Sequence, residues 1–409
     1  MSSAARPRFF YGYVIVAATF ITLVLTHGVR YSFGVFFKPM SEDFGWTRAM
    51  TSGAFSLSWI VEGFVSIAVG HFNDRFGPRV MLTILGFFAG MTYLLMSLTG
   101  SLWQLYLFFG VVGGIGGAVF TPLVSTIARW FSAKRSMMTG FAIAGIGIGS
   151  MVGPLIADRL IVAFSWQTAY AVLGVAVLLI VILAAQTLKR DPAKMGQVAY
   201  GDDQASRMKA GPASRNYTLP EAIRTRQFWL FSSMMFCLGF AFFAIQVHIV
   251  PYATDLGLSP ATAAAILATI GGSSIVGRAA LGMIGDRIGN KNAFILGFVL
   301  MILATLVLLA TKQTWGLYFF AIVFGLGYGN SATQESPLGA ELFGLKSHGL
   351  IFAAASVGFT VGAALGPFAS GFIFDLSKSY YAALIACAAV AAVGFVLNAI
   401  LPGKGSRPA

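Results

Sequence analysis

Gly70-His71-Phe72-Asn73-Asp74-Arg75-Phe76-Gly77 and Gly282-Met283-Ile284-Gly285-Asp286-Arg287-Ile288-Gly289 share one pattern, Gly-x-x-x-Asp-Arg-x-Gly, at an offset of 212 residues (70 to 282). The register extends in both directions. Pro39, Asp43, Gly45 and Thr47 return at the same offset as Pro251, Asp255, Gly257 and Ser259. Phe131 and Lys134 return as Phe343 and Lys346. Gly145, Gly149, Gly153 and Pro154 return one residue later, as Gly358, Gly362, Gly366 and Pro367. One register held across loops and helices marks a duplicated unit.

Composition says where that unit lives. Of 409 residues, 57% are hydrophobic and 10% charged, against about 25% charged in a soluble domain. Mean hydropathy is +0.80. Water cannot solvate that much apolar side chain, so the surrounding solvent is lipid. This excludes a cytosolic enzyme, a disordered scaffold and a secreted disulfide framework; Cys237 and Cys387 both lie inside apolar runs. Apolar runs long enough to span occur near 12–37, 49–70, 80–99, 102–128, 137–160 and 167–188, then near 227–251, 261–283, 293–311, 315–340, 349–375 and 380–401. Lipid forbids unpaired backbone groups, so each run is a helix. The expected fold is therefore an all-α membrane protein of twelve transmembrane helices in two pseudo-symmetric six-helix bundles. Residues 1–188 form the first, 189–226 a polar cytoplasmic linker and 227–409 the second.

The net charge of +13 has an orientation reading. With both termini inside, the inner segments hold Arg6, Arg8, Arg75, Arg79, Arg129, Lys134, Arg135, the basic residues of 189–226, Arg287, Lys291, Lys346, Lys404 and Arg407. The outer loops keep Lys38, Arg48, Arg159, Lys312 and Lys378. That bias places both termini in the cytoplasm, and it accounts for the positive charge without nucleic acid. Short termini suggest a prokaryotic inner membrane. A duplicated bundle of this kind places a substrate site between halves that rock alternately open.

The paired Gly-x-x-x-Asp-Arg-x-Gly loops resemble the signature loop of the major facilitator superfamily. The resemblance implies that Asp74, Arg75, Asp286 and Arg287 latch the two halves in the outward-open state; the alternative is a tight loop that satisfies its own charges. Within the superfamily, Tyr11-Gly12-Tyr13, Ser32-Phe33-Gly34-Val35-Phe36-Phe37-Lys38 and Trp130-Phe131-x-x-Lys134-Arg135 resemble the monocarboxylate transporters and their relatives, the bacterial oxalate/formate exchangers. There are departures. The family's span-1 lysine tied to proton coupling aligns with Tyr31, its span-8 aspartate with Ser274, and span 11 lacks the lysine of the oxalate/formate exchangers.

An ionisable side chain inside lipid is a site candidate by default. Arg278 lies eight residues before the loop aspartate Asp286, about 12 Å deep along a helix. The resemblance implies that a span-8 arginine binds the substrate carboxylate, which a planar guanidinium fork suits. One cation favours a monoanion over a dianion. Span 1 carries a polar face of Thr19, Thr22, Thr26, His27, Arg30, Tyr31 and Gly34. Arg30 is either a second anion contact or a stabiliser. Glu62 in span 2 is either a proton-handling carboxyl or a structural one, and His248 either a titrating gate residue or a polar anchor. Phe120, Ile146, Tyr328, Asn330, Ser356 and Phe359 are candidate wall residues beside Ser274 and Tyr31, with core packing as the plainer reading of each aromatic. The glycine-spaced stretches of spans 4 and 5 read as packing seams first.

Taken together, the sequence predicts a monomeric secondary transporter, proton-coupled and carrying a small monocarboxylate of the lactate or pyruvate type by alternating access. An anion exchanger of the oxalate/formate kind is the alternative. A drug antiporter would need acids lining the cavity, and Glu62 alone qualifies. No P-loop, His-Glu-x-x-His or dense catalytic cluster points to an enzyme, and no cofactor or metal is implied.

Overall fold

The computed structural model describes residues 10–131, 134–201, 217–281, 287–344 and 347–401, with the side chains of Asp74, Arg135, Ser136, Lys194 and Leu281 left out. Twelve long helices carry the chain. In the first half these are α1 (Gly12–Phe44), α2 (Arg48–Asn73), α3 (Pro78–Met96), α4 (Leu102–Trp130), α5 (Met137–Ala163) and α6 (Trp166–Thr187). In the second they are α7 (Arg226–Asp255), α8 (Pro260–Ala280), α9 (Asn290–Ala310), α10 (Thr314–Phe343), α11 (His348–Ser377) and α12 (Tyr381–Ile400). Eleven are long and apolar enough to cross a membrane. The exception is α10, whose 30 residues include Asn330, Ser331, Thr333, Gln334 and Glu335. Lipid does not tolerate such a run on an outward face, so α10 belongs against protein or a polar cavity.

The duplicated sequence builds duplicated structure. Gly45 and Gly257 take positive φ of 66° and 86°, conformations that glycine reaches without steric cost. Thr47 and Ser259 then cap the following helices, accepting from the backbone N–H of Met50 at 3.3 Å and of Thr262 at 3.2 Å. Helix pairing repeats as well. In the first half α1 packs on α5, α3 on α6 and α2 on α4; in the second α7 packs on α11, α9 on α12 and α8 on α10. The halves meet along α2–α11 and α5–α8, a relation that a two-fold exchange of the halves preserves.

Glycine spacing sets the closeness of two of these seams. A Cβ at Gly145, Gly149 or Gly153 of α5 would stand 2.6, 2.3 or 2.3 Å from the carbonyl oxygens of Phe20, Val24 or Gly28 of α1. At Gly358, Gly362 and Gly366 of α11 it would stand 2.1, 2.1 and 2.4 Å from those of Ser232, Phe236 and Phe240 of α7. Between helices lipid gives no hydrophobic drive, so backbone-to-backbone approach through small residues supplies the attraction.

Candidate functional site

One face of the molecule is sealed across the halves, at the helix ends farthest from Phe10 and Leu401. The carboxylate of Asp375, on α11, accepts from the first two amides of α2, Arg48 N at 3.0 Å and Ala49 N at 2.8 Å. It thus caps a helix of the other half, where free N–H groups and the helix dipole favour an anion. The Arg48 guanidinium lies 2.5 Å from both Asp255 and the Tyr380 hydroxyl and stacks 3.8 Å over Phe374. Lys38 adds a second cation to Asp255 at 3.5 Å.

His248 belongs to this seal. Its Nε2 donates to the Pro367 carbonyl at 2.8 Å, which fixes the tautomer, and Nδ1 then accepts from Tyr380 at 2.9 Å. Both ring nitrogens are committed, and the buried ring packs on Phe37. Below the seal lies an aromatic layer from both halves. Phe243, fully buried, meets Tyr31, Phe55, Trp59, Phe242 and Phe359 with centroids 4.6–5.9 Å apart. Gln246 donates to the Tyr31 carbonyl across the halves at 3.2 Å. Toward the opposite face, a Cβ at Gly70 of α2, Gly140 of α5 or Gly349 of α11 would meet nothing within 4 Å.

Two arginines sit at mid-depth, with opposite surroundings. Arg30 is neutralised: its guanidinium pairs with Glu62, donates to Ser58 at 3.1 Å and stacks 4.3 Å over Trp59. The side chains of the pair are 7% and 14% exposed. In a buried pair of this kind each charge offsets the other's lost hydration. Arg278 has no such partner. It lies in a wide π-helical turn, Gly277–Leu281, a geometry that recurs at functional sites. Its Nε is buried without a hydrogen bond, and no carboxylate comes within ion-pair distance of it among the described residues.

The local sequence explains its placement. Gly277 lets α8 approach α10 until a Cβ would stand 2.4 Å from the Leu326 carbonyl, and Gly329 does the same against Ser274. The contact brings the Tyr328 ring to 5.9 Å from the Arg278 guanidinium, while Phe242 stacks on that same ring at 3.4 Å. From α1, Tyr31 meets Phe242 with ring centroids 6.4 Å apart, and His27 meets Tyr31 at 5.6 Å.

The sequence-derived candidates therefore divide. Arg278, Tyr328, Tyr31 and Phe359 converge around the aromatic layer. Asn330 does not join them: it points into α9 and donates to the Ala293 carbonyl at 2.5 Å, because two residues of helix turn it well away from Tyr328. Ser274 and Ser356 bond carbonyls of their own helices, Gly271 at 2.7 Å and Phe352 at 2.8 Å. Ile146 packs partly buried in α5, and Phe120 is 37% exposed after a break in α4. Glu62 is Arg30's ion-pair partner, and His248 lies in the seal. At the loop, Arg75 is exposed with its guanidinium over Phe76, and Arg287 is exposed too; the Asp74 side chain and all of Asp286 lie outside the described residues. Sequence reading missed Glu335, Phe242 and Phe243. Glu335 stands two turns after Tyr328, a spacing that could have revealed it.

Two six-helix halves that repeat one pairing and meet along two helix pairs form the architecture of a membrane transporter. The sequence profile of the Major Facilitator Superfamily matches residues 19–333 and 249–408, and the chain belongs to that family. Among similar curated proteins, Monocarboxylate transporter 13 of Bos taurus is 28% identical, covering 98% of this chain and 91% of its own. The Oxalate:formate antiporter of Oxalobacter formigenes is 26% identical, covering 87% and 83%. A solved bacterial homolog of the human lysosomal transporter Spinster, in an inward-facing and unoccupied conformation, shares the fold. Its TM-score is 0.78 at 14% identity, over 98% of each chain.

Proposed function

We propose that this chain is a proton-coupled symporter of a small monocarboxylate, of the lactate or pyruvate kind. The observation that carries the reading is Arg278: a mid-depth cation, beside an aromatic wall, with no carboxylate paired to it among the described residues. An unpaired charge there is costly, and a carboxylate ligand removes the cost. The apolar rings beside it suit a short carbon chain, and one unpaired arginine suits a single negative charge.

The Lys/Arg bias supports cytoplasmic termini, so the sealed face is external and this conformation faces inward. Residues 1–188 and 227–409 then act as the two rocking bodies, joined by 189–226. Asp74, Arg75, Asp286 and Arg287 latch the opposite, outward-open state. The carrier works as a monomer in a bacterial inner membrane. Similarity to the Oxalate:formate antiporter favours a second reading, electroneutral anion exchange, which needs no proton gradient.

Uptake of labelled L-lactate into proteoliposomes tests the site. Arg278→Ala should abolish it, and Arg278→Lys should weaken it at least tenfold, since an ammonium lacks the bidentate fork. Undiminished uptake in Arg278→Ala would remove the central residue from the account.

A further inference from the structure

Glu335 is a carboxyl in an unusual place. It sits on α10 at mid-to-inner depth, partly exposed, and makes no hydrogen bond or ion pair among the described residues. Tyr328 precedes it by seven positions, so the two share one helix face. That face looks onto Arg278, whose guanidinium lies 5.9 Å from the Tyr328 ring and whose charge reaches Glu335 as well. Tyr31, from α1 of the other half, also lies in the field of Glu335. Among the described residues, the charged and titratable groups that interact with it are thus Arg278 from α8, Tyr31 from α1 and Tyr328 from its own helix. His348 of α11 bonds Ser336 next door at 3.0 Å, and Glu341, further along α10, accepts from Asn290 of α9 at 2.8 Å. The two groups that sequence suggested for a proton are otherwise engaged, Glu62 by Arg30 and His248 by Tyr380 and Pro367.

We infer that Glu335 carries the coupled proton and works with Arg278 as one charge-balanced site. The inference rests on the monocarboxylate reading above. Its logic is a count of charges. With Glu335 ionised and no substrate, the two charges sum to zero across the site without an ion pair between them. With Glu335 protonated and an anion on Arg278, the site is neutral again. The two remaining combinations leave one uncompensated charge: protonated Glu335 without anion is positive, ionised Glu335 with anion is negative. Closing the halves removes water from the site, and an uncompensated charge resists that removal. Only the empty and the doubly loaded states therefore cross, which ties one proton to one anion. The proton enters on a Glu335 carboxyl oxygen from one side and leaves from the same oxygen to the other, with no other bond changed.

Glu335→Gln mimics the protonated carboxyl permanently, so it separates two transport modes. Exchange of internal for external L-lactate uses only the loaded states and should persist within about twofold of wild type. Gradient-driven accumulation needs the empty return with Glu335 ionised and should fall at least tenfold. Exchange should also lose its pH dependence. Accumulation that survives in Glu335→Gln, or loss of L-lactate binding in a folded variant, would overturn the assignment. Should the glutamine variant be inactive in both modes, Glu335→Asp decides: restored accumulation supports the role, and its absence overturns it. A wild type without transport of L-lactate or any other short monocarboxylate would instead overturn the substrate reading, and this inference with it.

Discussion

The seal across the halves makes a prediction that can be sized. Asp375→Ala deletes the carboxylate that caps α2 from the opposite half, where it takes two backbone bonds at 2.8 and 3.0 Å. Loss of an N-cap acceptor costs about 0.5–2 kcal/mol, and loss of a negative charge at a helix N-terminus about 0.3–1 kcal/mol. On the proposed rocking of the halves the cost falls on the sealed state alone, because Asp375 and α2 belong to different halves. Thr47 still caps Met50, and Arg48 keeps Asp255 and Tyr380, so the net effect stays near 1–2 kcal/mol. That shifts the ratio of sealed to open molecules by a factor of about 5–30. Spin labels on Met50→Cys and Lys312→Cys, exposed positions in different halves, report the separation by pulsed electron resonance; Cys237 and Cys387 are free but buried. Asp375→Ala should add a longer-distance population. Asp43→Ala is the control, since Asp43 accepts from Trp166 within one half. An unchanged distribution in Asp375→Ala, or an equal shift in the control, would refute the reasoning.

Three further outcomes follow from the packing. Glu62→Ala leaves Arg30 charged and buried, so it should destabilise the protein by about 3–5 kcal/mol, read as a lower unfolding temperature in detergent; Glu62→Gln should keep gradient-driven accumulation, which a proton-carrying Glu62 would not. His248→Ala removes two bonds within the second half, one of them to the Tyr380 hydroxyl that also holds Arg48, so it should widen the distance less than Asp375→Ala does and leave the pH profile of transport unmoved. A shifted profile would return His248 to proton coupling. Gly153→Ala drives a methyl group to 2.3 Å from the Gly28 carbonyl and should cost about 1–3 kcal/mol by overpacking; the same change at Gly70, where nothing lies within 4 Å, should be silent in the same thermal assay.

The repeat and the apolar runs were enough to reveal the fold, because lipid leaves the backbone few choices. Span limits shifted where polar residues extend a helix beyond the apolar run: α1 continues to Phe44 rather than stopping near 37. Arg278 was legible as an ionisable residue too deep to reach water. Its surroundings were not, since Tyr328 and Glu335 arrive from another helix and Phe242 and Phe243 look like ordinary core. Arg30 and Glu62 are 32 residues apart on different spans, and sequence could not tell an ion pair from two separate sites. Asn330 misled for a related reason. Helix phase, not proximity to Tyr328 in sequence, decides which way its amide points. The seal was invisible in advance, because its members come from α1, α2, α7, α11 and the loop after α11.

Labelled L-lactate uptake by the reconstituted wild-type carrier, with and without an inward proton gradient, tests the central claim most directly. Accumulation above equilibrium is expected only when the gradient is present, with no internal anion required. Uptake that ignores the gradient and appears only against a preloaded internal anion would contradict it and establish exchange instead.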